Sequence, residues 1–157
     1  MSNRRKNIKS KMQRIGEEMR KIKITENKWQ ILNGSGRLIG SIYDEVSLFS
    51  EGLAGVKKES QWGFVNKVGQ EVIRAVYDGV DCFSEVMAAI RKDEKWGYIR
   101  QDGEVIVCPC YEYAGEFRQG LAKVRLQGHY GVININGNII VPTAYDDVVG
   151  CDKELIA

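Results

Sequence analysis

Two hydrophobic rhythms run along this chain. Near the start, Ile8, Met12, Ile15, Met19 and Ile22 recur at spacings of 4, 3, 4 and 3, which brings all five to one side of a helix. Ser2 or Asn3 can cap its start and no proline interrupts it, so the pattern predicts an amphipathic helix from about residue 4 to residue 21. Five apolar positions are too few for a coiled coil. Further on the rhythm shortens to two: Leu121-Ala-Lys-Val-Arg-Leu126 alternates apolar and basic residues as a half-buried strand does. The segment Tyr130-Gly-Val-Ile-Asn-Ile-Asn-Gly-Asn-Ile-Ile-Val141 is rich in β-branched residues on both sides of Asn136-Gly137, which reads as a hairpin.

The strand-like part is periodic. Trp62-Gly63, Trp96-Gly97 and Tyr130-Gly131 stand 34 residues apart, with Trp29 a further 33 upstream. Tyr43-Asp44, Tyr77-Asp78, Tyr111-Glu112 and Tyr145-Asp146 keep the step of 34, as do Phe49, Phe83 and Phe117, and Gly69, Gly103 and Gly137. Leu53-Ala54, Met87-Ala88 and Leu121-Ala122 follow it too. Cutting at the aromatic residue gives units 29–61, 62–95, 96–129 and a shortened 130–157, preceded by a basic helix and linker over 1–28. Helical-hairpin repeats share this period, but the β-branched runs and Gly turns argue for strands. Each unit offers about three short antiparallel strands and a connector from the Tyr-Asp pair to the Phe. The predicted fold is therefore mainly β: a tandem array of antiparallel three-stranded hairpin units behind an N-terminal amphipathic helix. A unit of 34 residues cannot bury enough apolar surface alone, so neighbours must stack.

Lys95-Trp96-Gly97-Tyr98-Ile99, the run Tyr43-Asp44 to Phe49-Ser50-Glu51-Gly52-Leu53-Ala54, and the Gly103 turn occur in phase, and in this the chain resembles the WG-repeat (KWG repeat) family of mostly bacterial β-repeat proteins. The likeness covers roughly 29–157. Departures are Gln30 for glycine, Val86 for the glycine of Gly-Leu-Ala, Tyr130 for tryptophan and Cys151 for phenylalanine. The resemblance implies an interaction module and brings no shared catalytic residues with it.

The repetition assigns roles. The rings of Trp29, Trp62, Trp96 and Tyr130 are expected to be interior pegs between units, and alanine at Trp62 or Trp96 would then cost about 3–5 kcal/mol. The acid of each Tyr-Asp pair is expected to bond amides two residues onward as an Asx turn, a structural fixture rather than four copies of a catalytic acid. Were the rings instead to face solvent, the aromatic ladder could bind glycans.

Composition narrows the rest. At 43% apolar and 28% charged, the 157-residue, 17.7 kDa chain has the make-up of a globular protein rather than a disordered one. No apolar run is long enough to span a bilayer and the first residues lack a secretory h-region, so the expected location is cytoplasmic. The net charge of +2 hides a basic arm, with 10 basic and 3 acidic residues over 1–28, on a mildly acidic body. Such an arm fits packing on the array, or contact with nucleic acid or an anionic membrane surface.

Cys82, Cys108, Cys110 and Cys151 show no zinc-ligand spacing and are expected to be reduced and mostly buried. His129, the sole histidine, falls at a loop-to-strand position expected to be exposed. There is no G-x-S-x-G elbow and no phosphate loop before a helix. No catalytic, cofactor-binding or metal-binding residue is therefore assigned. The expectation is a non-catalytic scaffold that binds a protein partner without any cofactor.

Overall fold

The computed structural model describes residues 12–150. Among them there is no helix; sixteen strands form four antiparallel sheets of four, each a meander in chain order. The first sheet holds β1 (Met12–Gly16), β2 (Met19–Thr25), β3 (Lys28–Leu32) and β4 (Leu38–Tyr43). The second holds β5 (Glu45–Ser50), β6 (Leu53–Lys58), β7 (Gln61–Asn66) and β8 (Glu71–Tyr77). The third holds β9 (Gly79–Val80), β10 (Met87–Lys92), β11 (Lys95–Arg100) and β12 (Val105–Tyr111), and the fourth holds β13 (Tyr113–Ala114), β14 (Leu121–Leu126), β15 (His129–Asn134) and β16 (Ile139–Tyr145).

Two expectations are corrected. The units are four-stranded, because the connector after each Tyr-Asp pair is itself the opening strand of the next sheet. The N-terminal helix is not found: over the described part of 4–21, β1 and β2 form a hairpin with Met12 opposite Ile22 and Gly16 opposite Met19. Residues 4–11 lie outside the described residues. The helical spacing arose because Ile15 and Met19 flank a turn and both point inward, where they are buried beside Ile31 and Tyr43.

The sheets begin at residues 12, 45, 79 and 113 and end at 43, 77, 111 and 145, so sheet and sequence unit are out of phase. The unit 62–95 supplies the last two strands of one sheet and the first two of the next.

The chain divides into two compact units, up to Val76 and from Tyr77. In the first, Ile15, Ile31, Tyr43, Val46, Val56 and Val65 belong to one buried cluster. In the second, Met87, Tyr98, Phe117, Val124 and Ile133 belong to another, where the ring of Phe117 stands edge-on to Tyr98 at 4.8 Å. The Tyr98 hydroxyl donates a 2.6 Å hydrogen bond to the Gly115 carbonyl, and burial holds the phenol far above its ordinary ionisation.

Turn chemistry follows position. Between the third and fourth strands, an asparagine carbonyl caps the loop: Asn66 Oδ1 accepts from the Val68 and Gln70 amides, and Asn134 Oδ1 from those of Asn136 and Asn138. Asn33 does the same for Ser35 and Arg37. These are three-residue loops ending in a glycine at positive φ, not the two-residue turn that Asn136-Gly137 suggests.

Two-residue turns with both centres at positive φ stand instead before each second and third strand of the later sheets, at Glu51-Gly52, Glu59-Ser60, Glu85-Val86, Asp93-Glu94, Gln119-Gly120 and Gln127-Gly128. Val86, at φ 63°, is β-branched where its counterparts Gly52 and Gly120 are glycines. Relief of about 1–2 kcal/mol of left-handed strain outweighs glycine's chain-entropy cost of roughly 0.5–1 kcal/mol. Val86→Gly is therefore expected to raise stability by up to about 1 kcal/mol in urea denaturation.

Candidate interaction surface

Directly paired residues of antiparallel strands share a face, so the registers define one row of side chains across each sheet. The rows read Lys23–Trp29–Tyr43, Glu45–Lys57–Trp62, Gly79–Arg91–Trp96–Tyr111 and Tyr113–Arg125–Tyr130–Tyr145. A cation thus stands beside every repeated aromatic. Lys21 Nζ lies 4.5 Å from the Trp29 ring centroid, Arg91 Cζ 5.8 Å from that of Trp96, and Lys123 Nζ and Arg125 Cζ lie 4.6 and 5.6 Å from that of Tyr130.

The four rings are half-buried rather than interior. The pegs of the core are the residues that follow them: Gly63-Phe64-Val65, Gly97-Tyr98-Ile99 and Gly131-Val132-Ile133 are all buried. The interior-peg expectation is corrected accordingly. Three of these rings carry a cation of the same chain over them, which would compete with a sugar for the ring face.

The Tyr-Asp acids also act at longer range than expected. Asp78 Oδ2 accepts from the Asp93 amide at 2.9 Å and Glu112 Oε2 from the Gly128 amide at 3.2 Å, each bracing a positive-φ turn of the same sheet's neighbour strands. Asp44 accepts from the amides of Glu59 and Ser60 and pairs with Lys28, whose hydrogen bond holds its carboxyl below the ordinary 3.8. The Lys123 ammonium likewise lowers Asp147.

Both pKa values are depressed on folding, so these acids contribute stability above pH 3.8 that is lost as pH falls through their lower, folded-state values. Carboxyl-detected NMR titration should place both midpoints below 3.8. An ordinary value for both would remove this acid-limb contribution.

The basic arm is partly spoken for within the described residues. Lys21 pairs with Glu45, Lys23 with Glu26 and Lys28 with Asp44. His129 is exposed, with Nδ1 4.0 Å from Asp146. The cysteines depart from expectation: Cys108 and Cys110 are exposed on β12 and Cys82 is half-buried, all three free, while Cys151 lies outside the described residues. Burial and the neighbouring Cys108 raise the Cys110 thiol, which disfavours the thiolate that soft-metal binding needs. Among the described residues no group of three or more His, Cys, Asp or Glu gathers as a metal set.

The fourth row differs from the others. Tyr43 and Tyr111 end their rows buried at 0% and 7% exposure, whereas Tyr145 is 53% exposed; and only this row opens on an aromatic, Tyr113, 46% exposed. Tyr113 and Tyr130 meet edge to face at 6.1 Å. Between them Arg125 has a buried Nε–H without a hydrogen-bond partner, 3.8 Å from Glu112. The periodicity located Tyr130 and Tyr145, and Arg125 keeps the step of 34 from Lys57 and Arg91, but Tyr113 stands at a variable position, opposite Glu45 and Gly79 in the other units, and had no cue.

The WG containing repeat model matches residues 33–61, 62–96, 96–128 and 130–154, and the chain belongs to that family. No curated protein sequence matches it significantly. Among solved structures it is similar to Kluyveromyces lactis Hsv2, at 13% identity and a TM-score of 0.44 over 88% of this chain and 49% of that one. It is also similar to a KlHsv2 variant with loop 6CD replaced by a Gly-Ser linker, at 11% identity and a TM-score of 0.47 over 82% and 50%. The chain spans about half the length of either.

Proposed function

We propose that this WG-repeat chain is a non-catalytic scaffold that binds a protein partner through the fourth-sheet row Tyr113–Arg125–Tyr130–Tyr145. One observation carries the reading: the row ends on exposed tyrosines, Tyr113 and Tyr145, with Arg125 and Tyr130 between them, where the first and third rows end on a buried tyrosine. Tyrosine and arginine are enriched among the few residues that carry most of the energy of protein interfaces, since each offers a large contact with a polar end. The ladder of repeated acids, cations and aromatics then serves to hold the sheet that displays this row.

The test is affinity capture from the source cell with the full chain, compared with a Tyr113→Ser/Tyr145→Ser variant. Both side chains are exposed, so the variant should keep its far-ultraviolet circular dichroism. A protein recovered by the parent chain and at least tenfold depleted by the variant supports the proposal. Equal recovery by both chains, or saturable binding to glycan or nucleic acid alone, overturns it.

A further inference from the structure

Strand β12 carries more chain than its partner strand matches. Trp96 of β11 pairs with Tyr111 and Tyr98 with Val107, so four residue steps of β12 answer two of β11. Two steps of strand cover roughly 6.6 Å, whereas four extended steps would cover roughly 13 Å. The surplus is taken up as an arch over 108–110 whose floor is Gly97: a Cβ there would stand 2.8 Å from the Pro109 nitrogen and 2.9 Å from the Cys108 carbonyl carbon.

On this arch Cys108 and Cys110 are exposed, with Pro109 half-buried between them and the buried Tyr111 following. That alternation sets both thiols on the outer side. Residues two apart in an extended strand have Cα atoms roughly 6.6 Å apart, at the far edge of the 4.4–6.8 Å or so over which disulfides close, and every bend of the arch shortens that span. The fold does not call for cysteine here, since the same positions of the other sheets hold Gly40 and Ile42, Arg74 and Val76, and Pro142 and Ala144. Cys82 stands apart: burial and the charges of Asp81 and Glu116 raise its thiol, which slows it as a nucleophile.

We infer that Cys108 and Cys110 form a reversible dithiol–disulfide site whose oxidant is a low-molecular-weight disulfide. The Cys108 thiolate attacks one sulfur of the oxidant, forming a mixed disulfide and releasing the first small thiolate. Cys110 then gives its proton to water and attacks Cys108 Sγ, expelling the second. The protein loses two hydrogens and two electrons, and the oxidant is reduced to two thiols. The order follows from the charges that face Cys110: the Cys108 thiolate, together with burial, holds its thiol up, while Lys95 favours the thiolate. Capping Cys108 as a mixed disulfide removes its charge and leaves that of Lys95, so the second attack is freed by the first.

Exposure of the full chain to oxidised glutathione, followed by alkylation, trypsin and mass spectrometry, tests this with a separate peptide for each site. Residues 101–118 hold Cys108 and Cys110, residues 75–91 hold Cys82 and residues 126–153 hold Cys151. The 101–118 peptide should be two hydrogens lighter, resist alkylation until dithiothreitol is added, and keep no glutathione. Cys110→Ser should stop one step earlier, with glutathione held on Cys108. The closure constant of the parent chain against the glutathione couple should be at least about tenfold larger folded than in urea, because the arch brings the thiols together beforehand. Glutathione persisting on both thiols of the parent peptide overturns the inference, as does a bridge from 101–118 to the peptide of Cys82 or Cys151. Equal closure in the folded and urea-unfolded chain overturns it as well.

Discussion

Gly97→Ala is expected to destabilise the second unit by about 3 kcal/mol or more, read as a lowered urea midpoint at constant m-value. The new Cβ would stand 2.2 Å from the Val107 carbonyl oxygen, 2.8 Å from the Pro109 nitrogen and 2.9 Å from the Cys108 carbonyl carbon. All three are backbone atoms of β12, which bulges over β11 at this point, with its register shifting between Trp96 and Tyr98. No side chain can rotate away, so relief requires parting two paired strands. Gly63 and Gly131 face the Ile73 and Val141 carbonyl oxygens at 2.3 and 2.5 Å and should behave alike. Gly120→Ala provides the comparison: nothing lies within 4 Å, so only the strain of its φ of 77° remains, about 1–2 kcal/mol. Equal losses at Gly97 and Gly120 would defeat this account of the glycine after each aromatic.

The second large effect inverts the ranking that the repeat pattern suggests. Phe117→Ala should cost about 3–5 kcal/mol, because the ring is buried and edge-on to Tyr98, and a cavity would remain between them. Trp96→Ala should cost about 1–2 kcal/mol, since its ring is only half-buried and the Arg91 contact adds about 0.5–1 kcal/mol at most. Thermal unfolding of the two variants side by side decides between them. A larger loss at Trp96 would restore the indole as the central peg.

What could be read from the residues alone tracks how locally each feature is encoded. The step of 34, the strands and the glycine turns follow from spacing and turn chemistry, and all stand in the fold. The first hairpin was missed although its cue was present: Ile15 lies 34 residues before Phe49 and Met19 lies 34 before Leu53. A spacing of 4 and 3 across a tight turn is indistinguishable from one face of a helix, and repetition outranks periodicity there.

How Gln30 is accommodated is legible only with coordinates. In the first sheet it takes the position of the glycine, and the strand opposite carries Gly40 at φ 69° instead. The missing residue there removes one of the two register shifts seen in the third and fourth sheets. The burial of the aromatics could not be read at all, because side-chain exposure depends on which face of a sheet its neighbours cover. The same holds for the Tyr113–Tyr145 row, whose members lie on four strands.

The half-unit offset between sheets and sequence repeats bears on how such a chain can change length. Because each of the last three sheets draws its four strands from two adjoining repeats, duplicating any 34 consecutive residues inside the array inserts one whole sheet, wherever the breakpoints fall. Unequal crossing-over needs no favoured junction, and a gene of this kind can gain or shed modules while each intermediate still folds.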